Sequence, residues 1–255
     1  MKDTLLNQRY RLLEPIASGG EAQVWRARDE ASNIEVAVRM AKRYGAFSTV
    51  PLPPPPHPGW VRLLDSGTGP GQGIWQIFEL LPGPTLSTLV KSGPLDPESW
   101  RAFALQSLDA VAALHNAGWV HGDLNAENFI HAGPRWKLLE LPFLRFDPPS
   151  ARTALFGNIY TLSPEQIAGN HANAQSDLYA LGCLYYAAAS GEFPHAVGTN
   201  VQIAIERLRF DAAPLSAKAP AFPPAWTAWV MTLLARDPQN RPPSVAAARH
   251  LLGVA

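Results

Sequence analysis

Asp123 and Asn128 stand five residues apart in the polar stretch His121 to Asn128. A carboxylate can accept the proton of an incoming hydroxyl, and a carboxamide oxygen can ligate a hard cation that bridges phosphates. Together they offer the division of labour that phosphoryl transfer requires. Taken alone, the same eight residues also read as a turn with a helix-capping aspartate, so the chemistry depends on what the rest of the chain builds around them.

The elements that must position this loop differ on its two sides. From Tyr10 to Leu80 the pattern predicts five strands, at Tyr10 to Ile16, Gln23 to Asp29, Ile34 to Ala41, Trp60 to Asp65 and Gly73 to Leu80. The first three form an antiparallel meander punctuated by Ser18-Gly19-Gly20 and Ala31-Ser32-Asn33, and the last two flank a turn from Gly67 to Gly71. Beyond Leu81 the period becomes helical. Asp96 caps a helix with Pro97 at its first position, and Trp100, Phe103, Ala104, Leu108, Val111 and Ala112 share a face before Gly118 ends it. Ser176 opens an apolar helix that ends near Gly191, and Trp226, Trp229, Val230, Leu233 and Leu234 form a stripe that stops before Asp237-Pro238. Ser244 caps a last helix ending at Gly253, and no internal repeat is visible.

Over nearly the whole chain, ordered landmarks resemble the eukaryotic-type (Hanks-type) Ser/Thr protein kinase family. The stretch Ile16 to Val24 is similar to its glycine-rich loop, and Val36 to Arg39 to the strand carrying its nucleotide lysine. His121 to Asn128 looks like its catalytic loop and Leu139 to Pro142 like its metal-binding triplet. Ser163-Pro164-Glu165, Ser176 to Gly182 and Arg236 to Pro242 follow in the family's order. The resemblance implies an α+β, two-lobed fold: a small antiparallel N-lobe over residues 1–81 and a mainly helical C-lobe over 82–255. It places ATP under Ile16, Val24 and Ala37 and above Ile130. Gly19 and Arg39 would lie near the phosphates, Phe78 would be the gatekeeper, and the backbone of Glu79 to Leu81 would read the base edge. Asp123 would be the base, with Asn125 beside it, and Mg2+ would rest on Asn128 and Glu140. Glu165 with Arg241, and Asp177 under His121, resemble the family's scaffold contacts.

The departures from that pattern carry information about activity. Arg39 replaces the lysine with a wider, forked cation. From Met40 to Leu64 there is no Asp or Glu, and the run Pro51 to Pro58 cannot be helical, so the regulatory helix and its glutamate are expected to be missing, with the prolines as a spacer. Glu140 replaces aspartate and moves its carboxylate outward by about 1.5 Å, while Leu141 and Pro142 follow it in place of phenylalanine and a flexible glycine. Ala17 and Ala22 occupy glycine positions, and Glu21 adds negative charge to the phosphate cradle. Asn125 and Asn158 take the places of a lysine and a threonine, and Gly122 takes that of an arginine which reads phosphate on the activation segment. The expected function is therefore a catalytically inactive or severely impaired kinase-like domain, a pseudokinase, acting as a scaffold or allosteric regulator. The alternatives are an atypical active Ser/Thr kinase that uses Asp123 with Arg39 and Glu140, and a small-molecule phosphotransferase, which His121-Gly122-Asp123 also resembles.

Composition narrows the partners. The 255 residues are 47% hydrophobic and 16% charged, with 21 basic and 21 acidic side chains, so no net field draws the chain to nucleic acid or an anionic membrane. The apolar run Leu178 to Ala189 is too short to span a bilayer. One cysteine, Cys183, fits a buried role in a reducing cytoplasm. Six of the 25 prolines fall between Pro51 and Pro58. An uncovered sheet flank from Tyr44 to Trp60, including Phe47, is the expected partner surface, and the Ala- and Pro-rich composition suits a bacterial member.

Overall fold

A computed structural model of the chain describes residues 3–18, 22–41, 56–68, 74–142, 158–195 and 198–253. They fall into two compact units with the main boundary between Pro82 and Gly83, and His57–Gly59 belongs to the second.

The first unit is an antiparallel sheet: β1 (Leu5–Leu6), β2 (Tyr10–Ser18), β3 (Ala22–Asp29), β4 (Ile34–Ala41), β5 (Leu63–Thr68) and β6 (Ile74–Glu79). Its order is β1-β2-β3-β4-β6-β5, one strand more than the five expected. The extra strand, β1, turns back into β2 through Asn7 and Gln8, both at positive φ, with Arg9 N–H donating to Leu6 O at 3.0 Å. Such turns are usually announced by glycine, and here there is none. The fourth expected strand also shifts, from Trp60–Asp65 to Leu63–Thr68, so Gly67 lies in a strand rather than in a turn. Gly67 is required there because a Cβ would overlap the Trp75 indole.

Alternation divides the sheet into two faces. Tyr10, Leu12, Trp25, Ala27, Val36, Val38, Trp75 and Ile77 form one cluster, and each is at least nine-tenths buried. Tyr10 reaches beyond it to donate to Asp65 Oδ2 at 2.7 Å; burial first, and then that bond, push its phenol up to about 12. The opposite face is drawn by register, with Val24 opposite Arg39 and Arg39 opposite Gln76, then Arg26 opposite Ala37 and Ala37 opposite Phe78.

The second unit is helical. It contains α1 (Leu86–Ser92), α2 (Pro97–Asn116), the hairpin β7 (Phe129–Ala132) and β8 (Arg135–Leu138), and α3 (Pro164–Ile167). It continues through α4 (Ala174–Ser190), α5 (Asn200–Arg209), α6 (Leu215–Lys218), α7 (Pro224–Leu233) and α8 (Val245–Gly253). Asp96 caps α2 through the N–H groups of Glu98 and Ser99, with Pro97 at the start as expected. Trp100 on α2 is fully buried, donates to Tyr185 O at 2.8 Å, and packs against Phe222, Trp226 and Trp229. Ala112 is only half-buried, at the edge of the predicted face. The apolar helix α4 begins two residues before Ser176, because Asn173 accepts from Gln175 and Ser176 in a capping box whose third position is Ser176. It is buried almost all round and stops at Gly191 in the left-handed region. Among the described residues no helix is long and apolar enough to cross a membrane.

The Pro-rich run lies outside the described residues up to Pro55, as do Tyr44 and Phe47. Trp60 is 5% exposed, so it fills space in the interior and is not part of an exposed partner surface.

Candidate functional site

The residues of the loop from His121 to Asn128 are held by backbone capture. Asp177, 1% exposed in the first turn of α4, accepts from His121 N–H through Oδ2 and from Gly122 N–H through Oδ1, both at 2.8 Å. The same Oδ2 lies 2.8 Å from His115 Nε2 at the end of α2. Gly122 has φ +72°, and a Cβ there would approach Ala172 Cβ to 3.1 Å, which accounts for glycine at this position. Its carbonyl accepts from Gln166 Nε2 at 3.0 Å.

With the loop so fixed, Asp123 becomes its organising residue. The Asp123 carbonyl accepts from Asn125 Nδ2 at 3.2 Å and from Asn128 Nδ2 at 3.0 Å, so these two sequence-predicted residues turn back on the third. Asp123 Oδ1 accepts from the backbone N–H of Asn158 at 3.2 Å. Asn128 is 4% exposed and its carbonyl accepts from Leu139 N–H at 2.8 Å, which sets the Leu139–Pro142 segment beside the loop. Leu141 and Pro142 are buried, whereas Glu140 is exposed and has φ +50°. A glutamate pays for a left-handed backbone. Glu140→Gly should therefore raise the unfolding free energy by about 1 kcal/mol in urea denaturation, and a loss of stability would contradict this reading.

The expected scaffold pair is formed. Arg241 Nη1 and Nη2 reach Glu165 Oε1 and Oε2 at 2.8 and 2.9 Å, and the guanidinium also donates to the carbonyls of Ala235 and Gln175. It lies 4.8 Å from the Tyr179 ring centre. Burial pushes the Glu165 carboxyl up, but the hydrogen bonds and charge of Arg241 outweigh it and hold the group below the usual carboxylate range.

Sequence reasoning missed Arg207. In helical periodicity it looks like a solvent-facing residue of a polar helix, yet it is fully buried. Its Nη1 donates to Ile159 O and Leu162 O, both at 2.6 Å, and its Nη2 to Tyr160 O at 3.1 Å. It therefore clamps the backbone that follows Asn158. Nearby, burial and then the Arg207 charge push the His195 imidazole down to about 4, against a weaker opposing effect of Asp211. The native state keeps His195 neutral while the unfolded chain takes up a proton below about 6.5. Stability should then fall as pH drops from 6.5 to 4, by about 3 kcal/mol at most. His195→Gln should flatten that part of the pH profile, and an unchanged slope would contradict the assignment.

In the sheet unit, register brings Val24, Ala37, Arg39 and Phe78 onto one face. Arg39 is 6% exposed and donates from Nη1 to Gln76 Oε1 of β6 at 3.3 Å. Ile16 is half exposed, Val24, Ala37 and Leu81 are half-buried, and Phe78 is buried. Glu79 is tied to Arg62, donating from its N–H to Arg62 O and accepting Arg62 N–H at Oε1. Ile130 is buried in β7. Gly19 and Glu21 lie outside the described residues.

The metal donors are hard oxygens of the right class, but few. Asn128 commits its nitrogen to Asp123 O, leaving its oxygen as the donor, and Glu140 projects from an exposed left-handed residue. Among the described residues no group of three or more His, Cys, Asp or Glu side chains could hold a metal. Asn128 and Glu140 would be the two protein donors to a magnesium ion whose remaining ligands are phosphate oxygens and water.

Residues 10–252 match the family model described as the protein kinase domain. The chain belongs to the protein kinase family. It is 29% identical over 259 residues to the serine/threonine-protein kinase PknB of Mycobacterium tuberculosis, covering 92% of this chain and 41% of that one. To PknL of the same species it is 29% identical over 256 residues, covering 94% and 64%, and to pkn2 of Myxococcus xanthus 28% over 263, covering 94% and 31%. This kinase-family chain therefore spans less than two thirds of each of these bacterial relatives. The crystal structure of Rad53 1-466 in complex with AMP-PNP superposes with a TM-score of 0.79 over 97% of this chain and 66% of that one. At 20% identity that likeness shows the fold, which is the α+β protein-kinase fold expected.

Proposed function

We propose that this kinase-family domain is catalytically silent or severely impaired and works through protein binding, as a scaffold or allosteric regulator. The observation that carries the reading is Arg39. The resemblance puts a compact lysine at that position to hold nucleotide phosphates. Here a wider guanidinium is buried and donates to the Gln76 carboxamide. Glu140 supports it further, as a longer carboxylate on a strained, exposed residue.

Two observations favour the second reading, an atypical active Ser/Thr kinase: the Asp177 brace and the Asn128 to Asp123 bond both keep the loop ordered. A thermal-shift titration with ATP, with and without magnesium, separates the two. The silent-domain reading expects no rise in melting temperature that depends on the metal. A magnesium-dependent rise would transfer the argument to the active kinase.

A further inference from the structure

A cleft that shares no residue with the candidate site opens within the helical unit. It holds about 280 Å³ between the segment His57–Gly59, one face of α2 and the start of β8. Gln106, Asp109, Ala113 and Asn116 make the α2 face, recurring at i, i+3, i+7 and i+10. Small residues leave the space. Ala112 and Ala113 present only methyl groups, and at Gly59 a Cβ would come within 3.0 Å of Ala110 Cβ and 3.1 Å of His57 Nδ1. Pro58 and Trp136 complete the apolar part of the wall.

The polar part of the wall is biased toward donors. Gln106 Oε1 accepts from Trp136 N–H at 2.8 Å, which fixes the carboxamide and leaves its Nε2 without an acceptor among the described residues. His57 Nδ1 accepts from Gly59 N–H at 3.1 Å, so the neutral ring carries its proton on Nε2. Burial pushes that imidazole down, the Asp109 charge opposes the shift, and the Arg135 charge adds to it, so both charges bear on the cleft. They are not equally available. Asp109 is already paired with Arg249 on α8, whereas Arg135 is exposed and has no carboxylate partner among the described residues.

An uncompensated guanidinium, a carboxamide nitrogen and a short apolar wall are together complementary to an anion with an apolar body. A bare inorganic anion would satisfy the cation and leave the apolar wall wet. We propose that this cleft binds a small organic acid, with its carboxylate on Arg135 and Gln106 and its hydrocarbon part against Pro58, Ala112 and Ala113. This inference is independent of whether the domain transfers phosphate.

Benzoate is the probe, titrated at constant ionic strength into the full chain labelled with nitrogen-15 and followed by NMR. The backbone amides of Gly59 and Trp136, which line the cleft, should shift saturably, with half-saturation at about 1–10 mM, as a ligand of this size allows. Arg135→Gln, at an exposed and unpaired residue, should weaken binding about tenfold without lowering the melting temperature. Ala113→Leu should fill the cleft and abolish the saturable shift. Absence of any saturable shift at these two amides would overturn the proposal. So would a response that neither variant alters, or one that inorganic phosphate reproduces at the same concentration, since the apolar wall would then contribute nothing.

Discussion

Arg241→Met should cost about 3–5 kcal/mol of folding stability, measured by urea denaturation, because it leaves the Glu165 carboxylate buried without its counter-ion. The arginine side chain is wholly inaccessible and the glutamate side chain 9% exposed, so water cannot take over the lost bonds. Glu165→Gln should cost less, since Arg241 keeps its carbonyl acceptors on Ala235 and Gln175. Combining Arg241→Met with Glu165→Leu should cost less than the two single changes added together, because neither partner is then left charged and alone. The pH dependence has a definite sign. The native carboxyl titrates below the unfolded one, so the stabilisation is present above the usual carboxylate range and is lost as pH falls through the lower native value. Glu165→Gln should remove that acid-dependent part. Additive single costs or an unaltered acid limb would contradict the assignment.

The other large effect is expected at Asp177. Asp177→Ala strands the N–H groups of His121 and Gly122, and each buried unsatisfied donor costs about 1–3 kcal/mol, for about 2–6 kcal/mol in all. Asp177→Asn keeps one acceptor oxygen and should fall between the wild type and alanine. Hydrogen exchange distinguishes a brace from general packing. In Asp177→Asn the amides of His121 and Gly122 should lose protection ahead of those in the α4 interior, whereas uniform loss would mean that Asp177 only fills space.

What was legible in the sequence was what local chemistry decides. Asp96-Pro97 announces α2, Ser244 announces α8, and the apolar run through Leu184 marks a buried helix, because caps and periodicity act within a few residues. Two of the scaffold contacts, Glu165 with Arg241 and Asp177 with the loop at His121, came from the ordered family landmarks and are present as hydrogen bonds. What was not legible depends on register or on backbone conformation. Nothing near Arg39 in the chain points to Gln76, 37 residues away, until β4 and β6 are aligned. Gly67 looks like a turn residue until the Trp75 ring lies over it. Arg207 has the pattern of a surface residue, and only the fold turns it toward the carbonyls of Ile159, Tyr160 and Leu162. The left-handed backbone of Glu140 has no glycine or asparagine to signal it.

The central claim, that a retained kinase scaffold carries impaired chemistry, is tested most directly by transfer of radiolabelled phosphate from ATP. The full chain and its Asp123→Ala variant would be compared, with magnesium or manganese and a mixed panel of Ser- and Thr-containing protein substrates. The account predicts incorporation that is indistinguishable between the two chains, into the substrates and into the domain itself. Incorporation by the wild type that disappears in Asp123→Ala would contradict it, and would make Asp123 a working base supported by Arg39 and Glu140.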